Sequence, residues 1–202
     1  MTLTLGMVGC GAHGQGHLKA FDAMPDVQLV AAVDQDPERA RRAATQFGAA
    51  GRYTDVREML ERHTPDLVSL ALPPEASRES VLAALDAGAH VLVAKPLAMN
   101  VGEAQELIAA TRRRGKTMAM ALQNRCVSEV RALRAFLAAG KLGRLFHARL
   151  WHGHVLNIPG TPTMTRRQLA GGGVVFHTMV HLLDATLWAM GNPTPARSKT
   201  ST

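Results

Sequence analysis

The sequence predicts a doubly wound α/β domain, a parallel sheet with helices on both faces, followed by the start of an incomplete α+β second region. Three observations predict it. Near-continuous apolar runs alternate with helical patterns from Leu3 to Leu122, as in a parallel sheet buried on both sides. The first run ends in Gly9-Cys10-Gly11-Ala12-His13-Gly14, directly before a helix-compatible stretch. The second, Val27 to Val33, ends on Asp34, 20 residues after Gly14. A G-x-G-x-x-G between strand and helix, with an acid at that distance, is the signature of a dinucleotide-binding βαβ unit.

The elements follow in order. Leu3 to Val8 reads as a strand, His17 to Phe21 belongs to a helix opening at the glycine loop, and Val27 to Val33 is the second strand. A helix across Glu38 to Phe47, a short segment at Arg52-Tyr53 and a helix from Asp55 to Arg62 come next. Asp66 to Leu72 is an apolar strand stopped by Pro73-Pro74, because proline cannot donate to a ladder. A helix from Glu75 to Ala87 ends at Gly88, where a left-handed cap is expected. The strand His90 to Ala94, a helix across Val101 to Arg113 closed by Gly115, and the strand Thr117 to Leu122 complete a first domain, residues 1–122. Residues 123–202 read as the start of a second: a helix from Glu129 to Ala139, an alternating strand from Leu145 to His152, a loop across Asn157 to Thr165, and a helix from Gly171-Gly172-Gly173 to Met190. That strand has no partner in the sequence, and an unpaired strand leaves backbone groups unsatisfied. Either another chain pairs with it or the second domain is incomplete, so association into a homo-oligomer is expected.

Composition narrows the partners. The formal charge is +7, but the basic residues are dispersed and aromatic residues make up only 4%, too few for a base-stacking platform. Nucleic acid is therefore not expected; a basic surface suits anionic small molecules instead. No apolar run is long enough to span a membrane, and Met1-Thr2-Leu3-Thr4 lacks the basic start of an export signal. A cytoplasmic protein without a membrane partner is the expectation. Cys10 and Cys126 make neither a disulfide framework nor a zinc cluster.

The glycines of the loop do different mechanical work. Gly9 permits the tight turn, Gly11 lets backbone approach a pyrophosphate, and Gly14 lets the helix pack close to the strand. Asp34 suits adenosine ribose hydroxyls and repels a 2′-phosphate, favouring NAD; Arg39, Arg41 and Arg42 keep NADP as the alternative. A blander reading makes Asp34 only a cap for the helix beginning near Pro37. Lys95 lies where a strand gives way to loop, the edge at which open sheets bind ligands, although a surface lysine before a turn proline has the same appearance. His177, His181 and Asp184 fall at helical spacing on one face. His-x-x-x-His is also a metal-ligand spacing, but the glutamate of the zincin pattern is missing and no metal site is expected. His147, His152 and His154 read as sheet-surface residues, and Asn124-Arg125 as contributors to a substrate or nicotinamide pocket.

Together the glycine loop with Asp34, Leu72-Pro73-Pro74-Glu75, Val91 to Ala98 around Lys95, and Gly171-Gly172-Gly173 leading to His181 and Asp184 resemble the Gfo/Idh/MocA oxidoreductases. The resemblance implies an NAD(P)-dependent dehydrogenase that moves a hydride between a nicotinamide and a sugar, inositol or related polyol. It implies cofactor binding by Gly9, Gly11, Ala12, His13 and Gly14, by Asp34, by the Leu72-Pro73-Pro74 turn and by Lys95. It makes Lys95 and His181 catalytic, with His177 beside them. Family members are longer than this chain, which agrees with an incomplete second domain. Three departures stand out: Ala94 where a glutamate is usual, His177 where an aspartate is usual, and Ser77 where a histidine is common. The lost acids motivate a second expectation, a catalytically weak NAD-binding protein with a regulatory or structural role.

Overall fold

In the computed structural model, which describes residues 2–151, 166 and 172–194, six parallel strands form one sheet. They are β1 (Leu3–Val8), β2 (Val27–Val33), β3 (Gly51–Tyr53), β4 (Leu67–Leu70), β5 (His90–Val93) and β6 (Met118–Met120), in the order β3-β2-β1-β4-β5-β6. The order reverses between β1 and β4, so a crevice opens there at the carboxyl ends of the strands. Five helices connect them: α1 (Ala12–Asp22), α2 (Pro37–Gln46), α3 (Val56–His63), α4 (Pro74–Asp86) and α5 (Val101–Arg113).

The two faces of the sheet are buried by different helices. Leu18 of α1 and Ala43 and Ala44 of α2 pack with Met7 and Ala32 in one core cluster. Met59 and Leu60 of α3, Val81 and Leu85 of α4, and Leu107 of α5 pack with Val8, Val68, Leu70 and Val91 in the other. Each fully buried aliphatic side chain contributes roughly 1.5–3 kcal/mol. The helices begin where their caps dictate. Asp36 accepts from the N–H groups of Glu38 and Arg39, Asp55 from those of Arg57 and Glu58, and Asn100 from that of Glu103. Glu103 reaches back to the Met99 N–H at 2.9 Å, in the manner of a capping box. Gly88 takes φ +86°, the left-handed conformation expected after α4.

The chain divides into two compact units, the first holding residues up to Ala121 and the second beginning at Leu122. The second opens with a 3-10 turn (Gln123–Cys126) and α6 (Ser128–Ala138). It also contains a π-helical turn (Val175–Met179) running directly into α7 (Val180–Ala189). Two expectations are corrected. Residues 145–151 form no strand, because no partner strand lies beside them among the described residues; Phe146 and Trp151 stand 90% and 79% exposed. The final helix is π-wound, not α-helical, through its first histidine. His152, His154, Gly171 and the loop 157–165 lie outside the described residues. No described helix is long and apolar enough to cross a membrane.

Candidate active site

The chain turns from β1 into α1 within three residues, and glycine is forced at two points. Gly9 sits at φ +87°, and a Cβ there would lie 2.5 Å from the Ala71 carbonyl oxygen. A Cβ on Gly14 would lie 1.8 Å from the Gly9 carbonyl oxygen and 3.0 Å from Cε of Met7. Helix and loop are in backbone contact. Gly11 differs: the nearest atom to a Cβ there is Nη1 of Arg39 at 3.9 Å, so its backbone is open to an approaching group. Gly11 is also the N-cap of α1, which has no side-chain cap and no acid in its first turn. Its leading N–H groups and positive pole are left for an anion. Ala12 and His13, both exposed, form that first turn.

Asp34 follows β2 and faces the loop. Its Oδ2 accepts from the Cys10 N–H at 2.8 Å and its Oδ1 from the Asp36 N–H at 3.0 Å. Asp36, not Asp34, caps α2, so the bland reading of Asp34 belongs to its neighbour. Of the three arginines, Arg41 and Arg42 both bind Glu38, at 2.6 and 3.0 Å, and hold its carboxyl down at about 2. Arg39 stays beside Gly11, with Nε 3.4 Å from Asp36. Cys10 is buried, and burial together with the nearby Asp34 charge pushes its thiol up to about 12. It is a space-filling residue of the loop.

Across the switch point, Pro73 is the N-cap of α4 and Pro74 its first residue, a position where the missing N–H costs nothing. Ser77 is buried and donates its hydroxyl to the Pro73 carbonyl at 3.1 Å, satisfying itself on its own helix. Lys95 follows β5, with the Ala94 N–H bonded to the Leu70 carbonyl at 2.8 Å and a cis bond to Pro96. It is half-buried, and burial lowers its ammonium pKa from the ordinary lysine value. The glycine loop and Lys95 thus stand at the carboxyl ends of β1 and β5, flanking β4. Sequence patterning did not reveal His17, whose Nδ1 lies 2.8 Å from Oγ of the buried Ser69 in β4. Burial, then the charge of His13, lowers its pKa.

The second unit carries the histidines. His177 lies in the π-helical turn and His181 in α7, and the wider turn changes their angular offset from the α-helical value. Nε2 of His177 and Nδ1 of His181 are closed to solvent. The Asp184 carboxylate takes the Arg125 guanidinium in a bidentate pair, Nε to Oδ2 at 2.7 Å and Nη2 to Oδ1. Asp184 in turn raises the pKa of Arg125. Arg134 lies over the Trp188 ring at 4.0 Å from its centroid. Among the described residues no three His, Cys, Asp or Glu side chains group as metal ligands would.

Comparison with known proteins decides the family. Residues 3–122 match a family model described as "Oxidoreductase family, NAD-binding Rossmann fold", and residues 130–202 match "GFO/IDH/MocA C-terminal domain". The chain belongs to the Gfo/Idh/MocA oxidoreductase family. Among Gfo/Idh/MocA relatives, D-glucoside 3-dehydrogenase of Escherichia coli (strain K12) is 30% identical over 192 residues, 95% of this chain and 55% of that protein. The 1,5-anhydro-D-fructose reductase of Ensifer adhaerens is 34% identical over 171 residues, 85% and 51% of the two chains. The crystal structure of GenD2 from gentamicin A biosynthesis, in complex with NAD, superposes with a TM-score of 0.82 at 26% identity, covering 95% of this chain and 54% of that one. The chain therefore spans about half the length of the Gfo/Idh/MocA relatives it matches.

Proposed function

We propose that this chain binds NAD at the glycine loop and serves an oxidoreductase acting on a sugar, inositol or related polyol. The cradle between β1 and α1 carries the reading, since a Cβ at Gly14 would meet backbone at 1.8 Å while Gly11 stays open. Gly11 and the first turn of α1 direct N–H groups at a pyrophosphate. The Asp34 carboxylate oxygens keep lone pairs for adenosine ribose hydroxyls, and its negative charge disfavours a 2′-phosphate. Arg39, beside Gly11, is the residue through which NADP would be accommodated. The Leu72-Pro73-Pro74 turn walls the crevice beyond β4. When bound, the nicotinamide supplies the hydride acceptor or donor.

The remaining chemistry belongs to side chains. Lys95 donates a hydrogen bond to the substrate hydroxyl oxygen and stabilises negative charge developing there. In the second unit the family resemblance assigns proton transfer to His181, with His177 as a neighbouring donor or acceptor. The test is Lys95→Ala assayed with a panel of sugars and inositols by NADH absorbance. Turnover should fall by roughly 10²-fold or more. Unchanged turnover of every accepted substrate would refute the role of Lys95.

A second reading is an NAD-binding protein of little catalytic power: Ala94 and His177 stand where the family resemblance implies acids, and Asp184 is held by Arg125. Calorimetric binding of NAD without turnover of any polyol or sugar would select it.

A further inference from the structure

The glycine loop is tied to the end of β2 by its first two residues. The Gly9 N–H donates to the Val33 carbonyl at 2.8 Å and Cys10 Sγ to the same oxygen at 3.5 Å. The third tie is the charge-assisted one, the Cys10 N–H to Asp34 Oδ2 at 2.8 Å. Oδ1 of the same carboxylate holds the Asp36 N–H, and Asp36 caps α2. One carboxylate thus spans two loops, fastening the residue between Gly9 and Gly11 on one side and the entry to α2 on the other.

We propose that Asp34 is a positioning residue for the glycine loop, in addition to the ribose contact that the cofactor reading assigns it. The inference rests on that reading. By holding Cys10, Asp34 sets the direction of the Gly11 backbone and of the first N–H groups of α1, which address the pyrophosphate. Cofactor choice and loop geometry are therefore coupled through one side chain. Replacing Asp34 to admit a 2′-phosphate also loosens the pyrophosphate cradle, so that single substitution does not convert an NAD protein into an efficient NADP protein.

A ligand comparison separates the two roles in the full chain. Wild type, Asp34→Ala and Asp34→Asn are titrated calorimetrically with ADP and with 2′,3′-dideoxy-ADP, which keeps the phosphates and lacks the ribose hydroxyls. Amide exchange at Cys10 is measured in the ligand-free proteins. Loss of the clasp should weaken dideoxy-ADP binding by Asp34→Ala about tenfold and speed exchange at Cys10 by about tenfold, the effect of one charge-assisted hydrogen bond. Asp34→Asn, which retains one acceptor oxygen, should fall between. Unchanged affinity for dideoxy-ADP, or unchanged exchange at Cys10, overturns the proposal; if Asp34→Ala does not fold, Asp34→Asn is judged by the same two criteria. A wild-type chain that binds neither NAD nor ADP refutes the cofactor reading instead, while the exchange measurement still judges the clasp.

Discussion

Two glycines in α1, two residues apart, should respond in opposite directions to the same substitution. In Gly14→Ala the new Cβ would start 1.8 Å from the Gly9 carbonyl oxygen, and real Cβ contacts essentially never fall below 3.0 Å. Loop and helix must therefore separate by at least 1.2 Å, the difference between those distances. The obstacle is backbone, which cannot rotate away, so the cost lies toward the upper part of the overpacking range, about 2–3 kcal/mol. For a chain of this size that lowers Tm by roughly 4–12 °C. The same movement carries the α1 N-terminus away from the phosphates and should weaken NAD binding by about tenfold or more, the scale of one lost charged hydrogen bond. Gly16→Ala meets nothing within 4 Å and gains helix propensity, about 0.5–1 kcal/mol. Its Tm should rise by about 1–4 °C, with NAD affinity unchanged. Thermal unfolding with calorimetric titration measures both. Equal melting temperatures for the two variants, or wild-type NAD affinity in Gly14→Ala, would refute the close-packing argument.

Three further outcomes are expected. With a thiol-reactive dye near neutral pH, exposed Cys126 should react at once and buried Cys10 only on unfolding; rapid labelling of both would show that Cys10 is accessible. His17 has a lowered folded pKa, so on acidification the unfolded chain takes the proton first. Stability should fall as pH drops through the ordinary imidazole value of 6.5 toward the folded one, with the loss complete below it. Urea midpoints between about pH 7 and pH 5 should show this slope in wild type and a flatter one in His17→Gln. Asp184→Asn removes the charge from a bidentate pair whose side chains are 14% and 40% exposed. It should cost about 1–2 kcal/mol, more than a surface pair and less than a fully buried one; a change below about 0.3 kcal/mol would remove Asp184 from the anchoring of α7.

What the sequence made legible follows from what its patterns encode. β1, β2, β4 and β5 are visible because strands buried on both faces must be apolar throughout, and α5 because a glycine closes it. Boundaries elsewhere moved by one or two residues for a local reason: Asp55 reads as helical but stands outside α3 as its cap. The π-helical turn at Val175–Met179 leaves no periodic trace, since one widened turn hardly alters an apolar pattern. Of the predicted strand at 145–152, the described residues 145–151 form none, because alternation describes a face and supplies no partner. The pairs that organise the site, Cys10 with Asp34, His17 with Ser69 and Arg125 with Asp184, join residues 24, 52 and 59 apart. Nothing in a residue's own neighbourhood records which distant side chain it will meet, so these are read only from coordinates.

The two halves of the proposed chemistry depend on different kinds of constraint, and this makes them separable. Cofactor binding rests on space and backbone: a turn only glycine can make, a helix-to-loop contact with no room for a methyl group, and a helix terminus left uncapped. Turnover rests on side-chain charge, where the family pattern is altered. With Ala94 and His177 where the resemblance implies acids and Asp184 paired with Arg125, the proposed proton transfer in the second unit rests on two imidazoles. Imidazole can still move a proton near neutral pH, but it cannot hold a neighbouring histidine cationic as a carboxylate does. Binding without turnover is thus physically coherent for this chain, whereas turnover without the cradle is not. Gly14→Ala should accordingly act on NAD affinity, and Lys95→Ala chiefly on catalytic rate.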